Sequence, residues 1–111
     1  MLPASARLRK SSEISAVMKS GTRFSAKLVV IHVAQTSSEN TKVAFAVGKN
    51  VGNSVVRHKV TRQLRHAITP LINNFPVGSH VVVRALPGAG QASFTQLSEN
   101  LKFATSKVTA L

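Results

Sequence analysis

Arg57, Lys59, Arg62 and Arg65 stand in one short stretch, KNVGNSVVRHKVTRQLR at residues 49–65, together with Lys49 and His58. No carboxylate interrupts them. Cationic side chains at this spacing do one kind of chemistry well: they hold anions. A guanidinium binds phosphate oxygens as a fork, and residues three or four apart share a helical face. Arg62 and Arg65 can therefore grip one anionic chain together. A solvated basic face is the ordinary alternative, but it usually comes with acidic partners at i,i+4, and this stretch has none.

Catalysis by the protein's own side chains is hard to assemble. Fifteen Lys and Arg face three acidic residues, all Glu, for a formal net charge of +12. Glu13, Glu39 and Glu99 are scattered, so paired carboxylates for acid–base work on a phosphodiester are missing. His58 and His66 are separated by roughly 12 Å along a helix axis, too far to share a metal or one phosphate. His32 sits inside an apolar run and reads first as a satisfied buried histidine. The absence of cysteine excludes disulfides and thiolate metal sites and fits a reducing compartment.

A charge of +12 costs stability through self-repulsion, so a neutralising partner is expected. Nucleic acid is the polyanion the composition favours. An anionic membrane is the rival, but the apolar runs reach only about six residues, far short of a span. The first ten residues also lack the apolar core of a signal peptide. With no Trp or Tyr and five Phe, stacking on bases must be sparse. Each phosphate neutralised should add about 0.7–0.9 to the log–log salt slope of binding.

The elements that position these groups follow from periodicity. At 111 residues with 43% hydrophobic content, the chain reads as a single domain, 1–111, with residues 1–6 a candidate disordered leader. Ser11 or Ser12 is available to cap a short helix with Glu13 in its first turn, and Ser20-Gly21 ends it. Phe24 marks a short strand. Residues 28–34 (LVVIHVA) and 42–48 (KVAFAVG) read as strands joined by a polar loop into an antiparallel pair. In the second of these, Val43, Phe45 and Val47 point one way and Ala44, Ala46 and Gly48 the other. That flat side has room for another molecule to lie close.

Asn53 or Ser54 sets up the N-cap of the basic helix. At about 100° per residue, Val56, Val60, Leu64, Ala67, Ile68 and Leu71 fall within an arc of about 120° and form a buried stripe. His58, Lys59, Arg62, Arg65 and His66 spread over the opposite arc, with Arg57 at the margin. Pro70 would cost about 3 kcal/mol inside a helix, so the helix kinks or stops near Thr69. Residues 80–86 (HVVVRAL) form a further strand, and the unit from 42 to 86 implies two parallel strands. Ser93 to Gln96 is a capping-box pattern opening a last helix, with Phe94, Leu97, Leu101, Ala104 and Val108 on one face. The order gives an α+β sandwich.

The same residues carry a family resemblance. Lys49, Gly52, Asn53, Val55, Arg57, Lys59, Arg62 and Arg65 fit the pattern GN-x-V-x-R-x-K/R-x-x-R-x-x-R after an apolar strand. This resembles the signature helix of the bacterial ribonuclease P protein subunit. Arg7-Leu8, Lys19-x-Gly21 and the VVVRA strand agree in order, so the resemblance spans residues 7–108. It implies an αβββαβα two-layer sandwich with a mixed sheet, a ribosomal-protein-like RNA-binding fold, and a left-handed βαβ crossover, a rare hand.

In function, the resemblance implies a cytoplasmic, membrane-free subunit, inactive by itself, that joins 1:1 with a catalytic RNA removing the 5′ leader from precursor tRNA. The RNA supplies the active site and its magnesium, and the protein lowers the magnesium requirement; the sequence assigns no cofactor or metal site to the protein itself. Lys49, Asn53, Arg57, His58, Lys59, Arg62 and Arg65 match RNA-contacting positions, and Ile14, Met18 and His32 match a leader cleft between the first helix and the sheet. A small basic ribosomal or nucleic-acid-binding protein without a role in cleavage is the alternative.

Some residues depart from the family pattern. His58 replaces the usual Asn, Lys59 a frequent Arg, and Thr61 the usual Lys. Ile14, Met18 and His32 stand where aromatics are common, and stacking contributes about 1–3 kcal/mol per base. The cleft is therefore expected to hold the leader less tightly, with little sequence preference. His32, near its ordinary pKa of about 6.5, is expected to strengthen leader binding as pH falls.

Overall fold

Continuous apolar runs take the middle of the sheet, and that decides the topology. The computed structural model describes residues 6–36 and 40–109. The elements are α1 (Ser11–Ser20), β1 (Thr22–Ser25), β2 (Val29–Gln35), β3 (Lys42–Ala46), α2 (Ser54–Ile68), β4 (Ser79–Ala85) and α3 (Phe94–Thr109). Short 3₁₀ turns cover Thr69–Asn74 and Pro87–Gln91. This is the expected α-β-β-β-α-β-α order.

The four strands lie in the order β1-β2-β4-β3. β4 runs antiparallel to β2 and parallel to β3, as the strand–helix–strand unit implied. The expected direct pairing of residues 28–34 with 42–48 does not form, because β4 is inserted between those strands. The physical reason lies in burial. β4 is buried on both faces along nearly its whole length, whereas β3 is shorter and half-buried at its ends. A two-sided apolar strand belongs in the interior of a sheet, and the weaker strand is left at the edge.

Alternation then sorts the side chains. Val29, Ile31, Val43, Val81, Val83 and Ala85 face α2 and α3 and form the main core with Val60, Leu64, Ile68, Leu97 and Leu101. Ala44 and Val82 point the other way, into a smaller cluster with Leu8 and Val17 under α1. The sheet and the α2–α3 layer make the sandwich, and α1 lies on the opposite face, where the small side chains of β3 leave room for it.

Local signals are partly obeyed. Lys10 is the N-cap of α1 without a side-chain bond, so neither Ser11 nor Ser12 caps it. Gly21 closes α1 in extended backbone, its N–H donating to the Val17 carbonyl at 2.8 Å. A Cβ there would stand 2.5 Å from the Val17 oxygen and 2.9 Å from that of Val33, so close approach to β2 demands the glycine. α2 yields to a 3₁₀ turn after Ile68, which places Pro70 in a first turn where its missing N–H costs little.

The capping box is present. The Ser93 N–H donates to Gln96 Oε1 at 2.9 Å, and the Gln96 N–H donates to Ser93 Oγ at 3.1 Å. Phe94, assigned to the buried face of α3, is instead 45% exposed, one turn beyond the core's edge. Of the candidate leader at 1–6, Ala6 is buried, and residues 1–5 lie outside the described residues.

Candidate nucleic-acid interface

The basic helix begins from a turn built to launch it. The Val51 N–H donates to the Gly48 carbonyl at 3.1 Å, and Val51 itself is buried. A Cβ on Gly52 would lie 2.7 Å from a methyl of Val56, so the turn packs tightly under the helix start. Asn53 Oδ1 accepts from the Val56 N–H at 3.0 Å, which makes Asn53 the N-cap. That oxygen holds the helix start, and the side-chain NH2 is left to donate to a partner.

Along α2 the stripe of Val60, Leu64, Ala67 and Ile68 is buried, and this sets the outer face. Lys49, His58, Lys59, Arg62 and His66 are exposed, while Arg57 and Arg65 are half-buried. Among the described residues, neither Glu13 nor Glu99 pairs with Arg62 or Arg65. Lys49, Lys59 and Arg62 are thus presented outward, and Arg57 and Arg65 along the flank of the helix, with no carboxylate partner among the described residues.

Arg62 and Arg65, expected side by side, are divided in their surroundings. Arg62 stands free in solvent. Arg65 lies against the edge strand, its guanidinium carbon 6.0 Å from the centre of the Phe45 ring. With Arg57 and Thr61 it lines a groove of about 320 Å³ along the helix. The buried Nε of Arg57 has no hydrogen-bond partner there, and the Thr61 hydroxyl is spent on the Arg57 carbonyl at 2.8 Å. A second groove, of about 310 Å³, joins Arg65 and Phe45 to Arg7 and Arg9 of the N-terminal segment.

The sequence reading of the interface missed Arg7 and Arg9. They reach it because the Leu8 N–H donates to the Val43 carbonyl at 3.0 Å, and Arg7 bridges Val43 in parallel. A basic leader is visible in sequence; its docking on the β3 edge is not.

The other candidate region lies across the sheet. Ile14 and Met18 are half-buried on α1 and pack on the smaller cluster beside Ala44, Ala46 and Val82. His32 is on the same sheet face, paired with Val82 on one side and Arg23 on the other. These three residues therefore share a face, but His32 is only 6% exposed and its Nε2 is buried without a partner.

Burial lowers the His32 pKa below the usual histidine value, and the Arg84 and Arg23 guanidiniums lower it further. The expectation of a near-ordinary pKa is corrected accordingly. Any charge gain at His32 is displaced to more acidic pH than a free histidine would show. Arg84, which sequence reading passed over, stands diagonally from His32 on β4, opposite Val30. The alternation of HVVVRAL was the signal that could have found it.

The comparisons with known proteins agree with this geometry. A family model described as Ribonuclease P matches residues 2–109. A ribonuclease P protein component from Mycobacterium sp. (strain KMS) is 39% identical over 106 residues, covering 94% of this chain and 90% of the relative. One from Corynebacterium diphtheriae is 39% identical over 115 residues, covering 97% of each. The solved RNase P protein of Staphylococcus aureus shares the fold with a TM-score of 0.83 at 20% identity, over 94% of this chain and 97% of that one. That of Thermotoga maritima does so with a TM-score of 0.78 at 17% identity, over 95% and 96%. The match along nearly the whole chain includes the turn, the capped helix and the basic face just described, and the chain belongs to the ribonuclease P protein family.

Proposed function

We propose that this chain is the RNA-binding protein subunit of ribonuclease P and serves in maturation of the 5′ end of tRNA. The observation that carries the reading is the outward cationic face of α2, unpaired with carboxylates among the described residues, on a chain matched by the family over residues 2–109. Lys49, Asn53, Arg57, His58, Lys59, Arg62 and Arg65 contact the catalytic RNA, chiefly at phosphates. Ile14, Met18 and His32 border the cleft that receives the precursor's 5′ leader.

In this mechanism the RNA carries the reaction, and the magnesium ions sit at its active site. The protein lowers the repulsion between two polyanions. Cations fixed on a rigid helix replace part of the diffuse counterion cloud, which raises substrate affinity and reduces the magnesium needed. One protein joins one RNA, in the cytoplasm. No helix among the described residues is long and apolar enough to cross a membrane. The basic-protein alternative without a role in cleavage is not favoured by the relatives' identity.

A reconstitution assay tests the reading. Precursor tRNA is offered to the catalytic RNA at limiting magnesium, with and without the protein, and to the protein alone. Cleavage should rise with the protein and require the RNA. No rise would reject the subunit role, and cleavage by the protein alone would reject the division of labour.

A further inference from the structure

We propose that Arg84, supported by Arg23, is a phosphate-binding residue that holds the 5′ leader by its backbone in the cleft of this chain. The inference rests on the leader-cleft reading above and assigns the chemistry by which that cleft works.

No Phe stands on this face of the sheet. The five Phe residues are spent elsewhere: Phe24, Phe45 and Phe75 pack in or against the main core, and Phe94 and Phe103 are on α3. On this side of the sheet Ala44 and Val82 are buried beneath α1, Ile14, Met18 and Ala46 are left partly exposed, and His32 is almost wholly covered. Such a surface fits a strand of nucleic acid without gripping its bases.

Cations take the place of rings. Strand register puts Arg84 between Val30 and Ala46 on this same face, and puts Arg23 opposite His32. Arg84 is half-buried, and its Nε lies out of solvent with no hydrogen-bond partner. A guanidinium donor left unpaired in a protein is costly, and a phosphate oxygen is the acceptor its fork fits best. The small side chain of Ala46 leaves the space open. A groove of about 480 Å³, lined by Ala46, Gly48, Asn50, Arg84 and Leu86, runs from the turn before α2 to this guanidinium. Exposed Lys49 stands in that turn, so basic groups mark a path from the catalytic-RNA face to the cleft.

The test uses the holoenzyme and precursor tRNAs carrying either a one-nucleotide or a several-nucleotide leader. Single leader linkages are replaced by neutral methylphosphonates, and single leader bases by abasic sites. With the unaltered protein, the longer leader should bind more tightly, and one neutral linkage should weaken binding roughly tenfold. Abasic sites should have little effect. Arg84→Gln should leave the one-nucleotide precursor unaffected, lose the same factor on the longer leader, and become insensitive to the neutral linkage. Arg84→Lys should retain part of the gain.

Loss on abasic sites but not on neutral linkages would overturn the proposal in favour of base recognition. Full leader gain in Arg84→Gln would overturn the assignment to that residue. Absence of any leader gain in the unaltered protein would instead overturn the cleft reading beneath it. The neutral-linkage result needs no variant, so a folding defect in Arg84→Gln does not spare the proposal.

Discussion

The guanidinium carbon of Arg65 lies 6.0 Å from the centre of the Phe45 ring, which ties the basic helix α2 to the edge strand β3. At this distance an arginine gains about 0.5–1 kcal/mol from the ring face. The larger effect is on position: the cation is laid along the groove instead of sweeping through solvent. Phe45→Leu keeps apolar bulk and removes the ring. We expect a stability loss of about 1 kcal/mol by denaturant unfolding. Catalytic-RNA affinity should fall a few-fold with an unchanged salt slope, since the number of cations is unaltered.

Asn53 separates a structural duty from a binding one. Its side-chain oxygen caps α2 through the Val56 N–H. Asn53→Ala should cost about 1 kcal/mol of stability. Asn53→Asp should retain the cap and favour the helix dipole, yet weaken RNA binding by placing a negative charge beside the phosphates. Thermal unfolding and RNA titration of both variants check this.

His32 sets a pH dependence whose sign follows from its lowered pKa. Between the folded value and the unfolded value of about 6.5, the unfolded chain binds the extra proton, so stability rises with pH there. Above that window the histidine is neutral in both states and contributes nothing. Arg23 on β1 and Arg84 on β4 are the charged groups facing it, and α1 offers apolar Ile14 and Met18. Acidification from pH 7.5 towards 5 should therefore destabilise the unaltered protein more than His32→Asn. Equal losses by denaturant unfolding at the two pH values would contradict this.

Gly90 joins two loops. A Cβ there would collide with the carbonyl oxygen of Val51, in the turn that launches α2. Gly90→Ala should lower the unfolding midpoint and also weaken RNA binding, because the displaced turn carries Lys49. Ser93→Ala, three residues on, should cost about 1 kcal/mol through the lost cap and leave RNA affinity unchanged.

What could be read from the sequence was local. The buried stripe of α2, the Ser93–Gln96 capping box and the flat Ala44–Ala46 side of β3 all follow from spacing within one element. The insertion of β4 between β2 and β3 does not, because it is decided by which of several apolar strands is buried on both faces. The His32 environment was hidden for the same reason: Arg23 and Arg84 come to it only through register with two other strands. The basic face of α2 was legible as charge, but the division between free Arg62 and docked Arg65 depends on the position of Phe45.

Salt dependence of catalytic-RNA binding tests the central claim most directly. The unaltered protein and the Arg62→Ala, Arg65→Ala double variant are titrated across a range of monovalent salt, with unfolding curves confirming that both are folded. The account expects weaker binding by the variant and a log–log slope shallower by about 1.4–1.8, for two phosphates released from contact. Identical affinity and slope for the two proteins would contradict it.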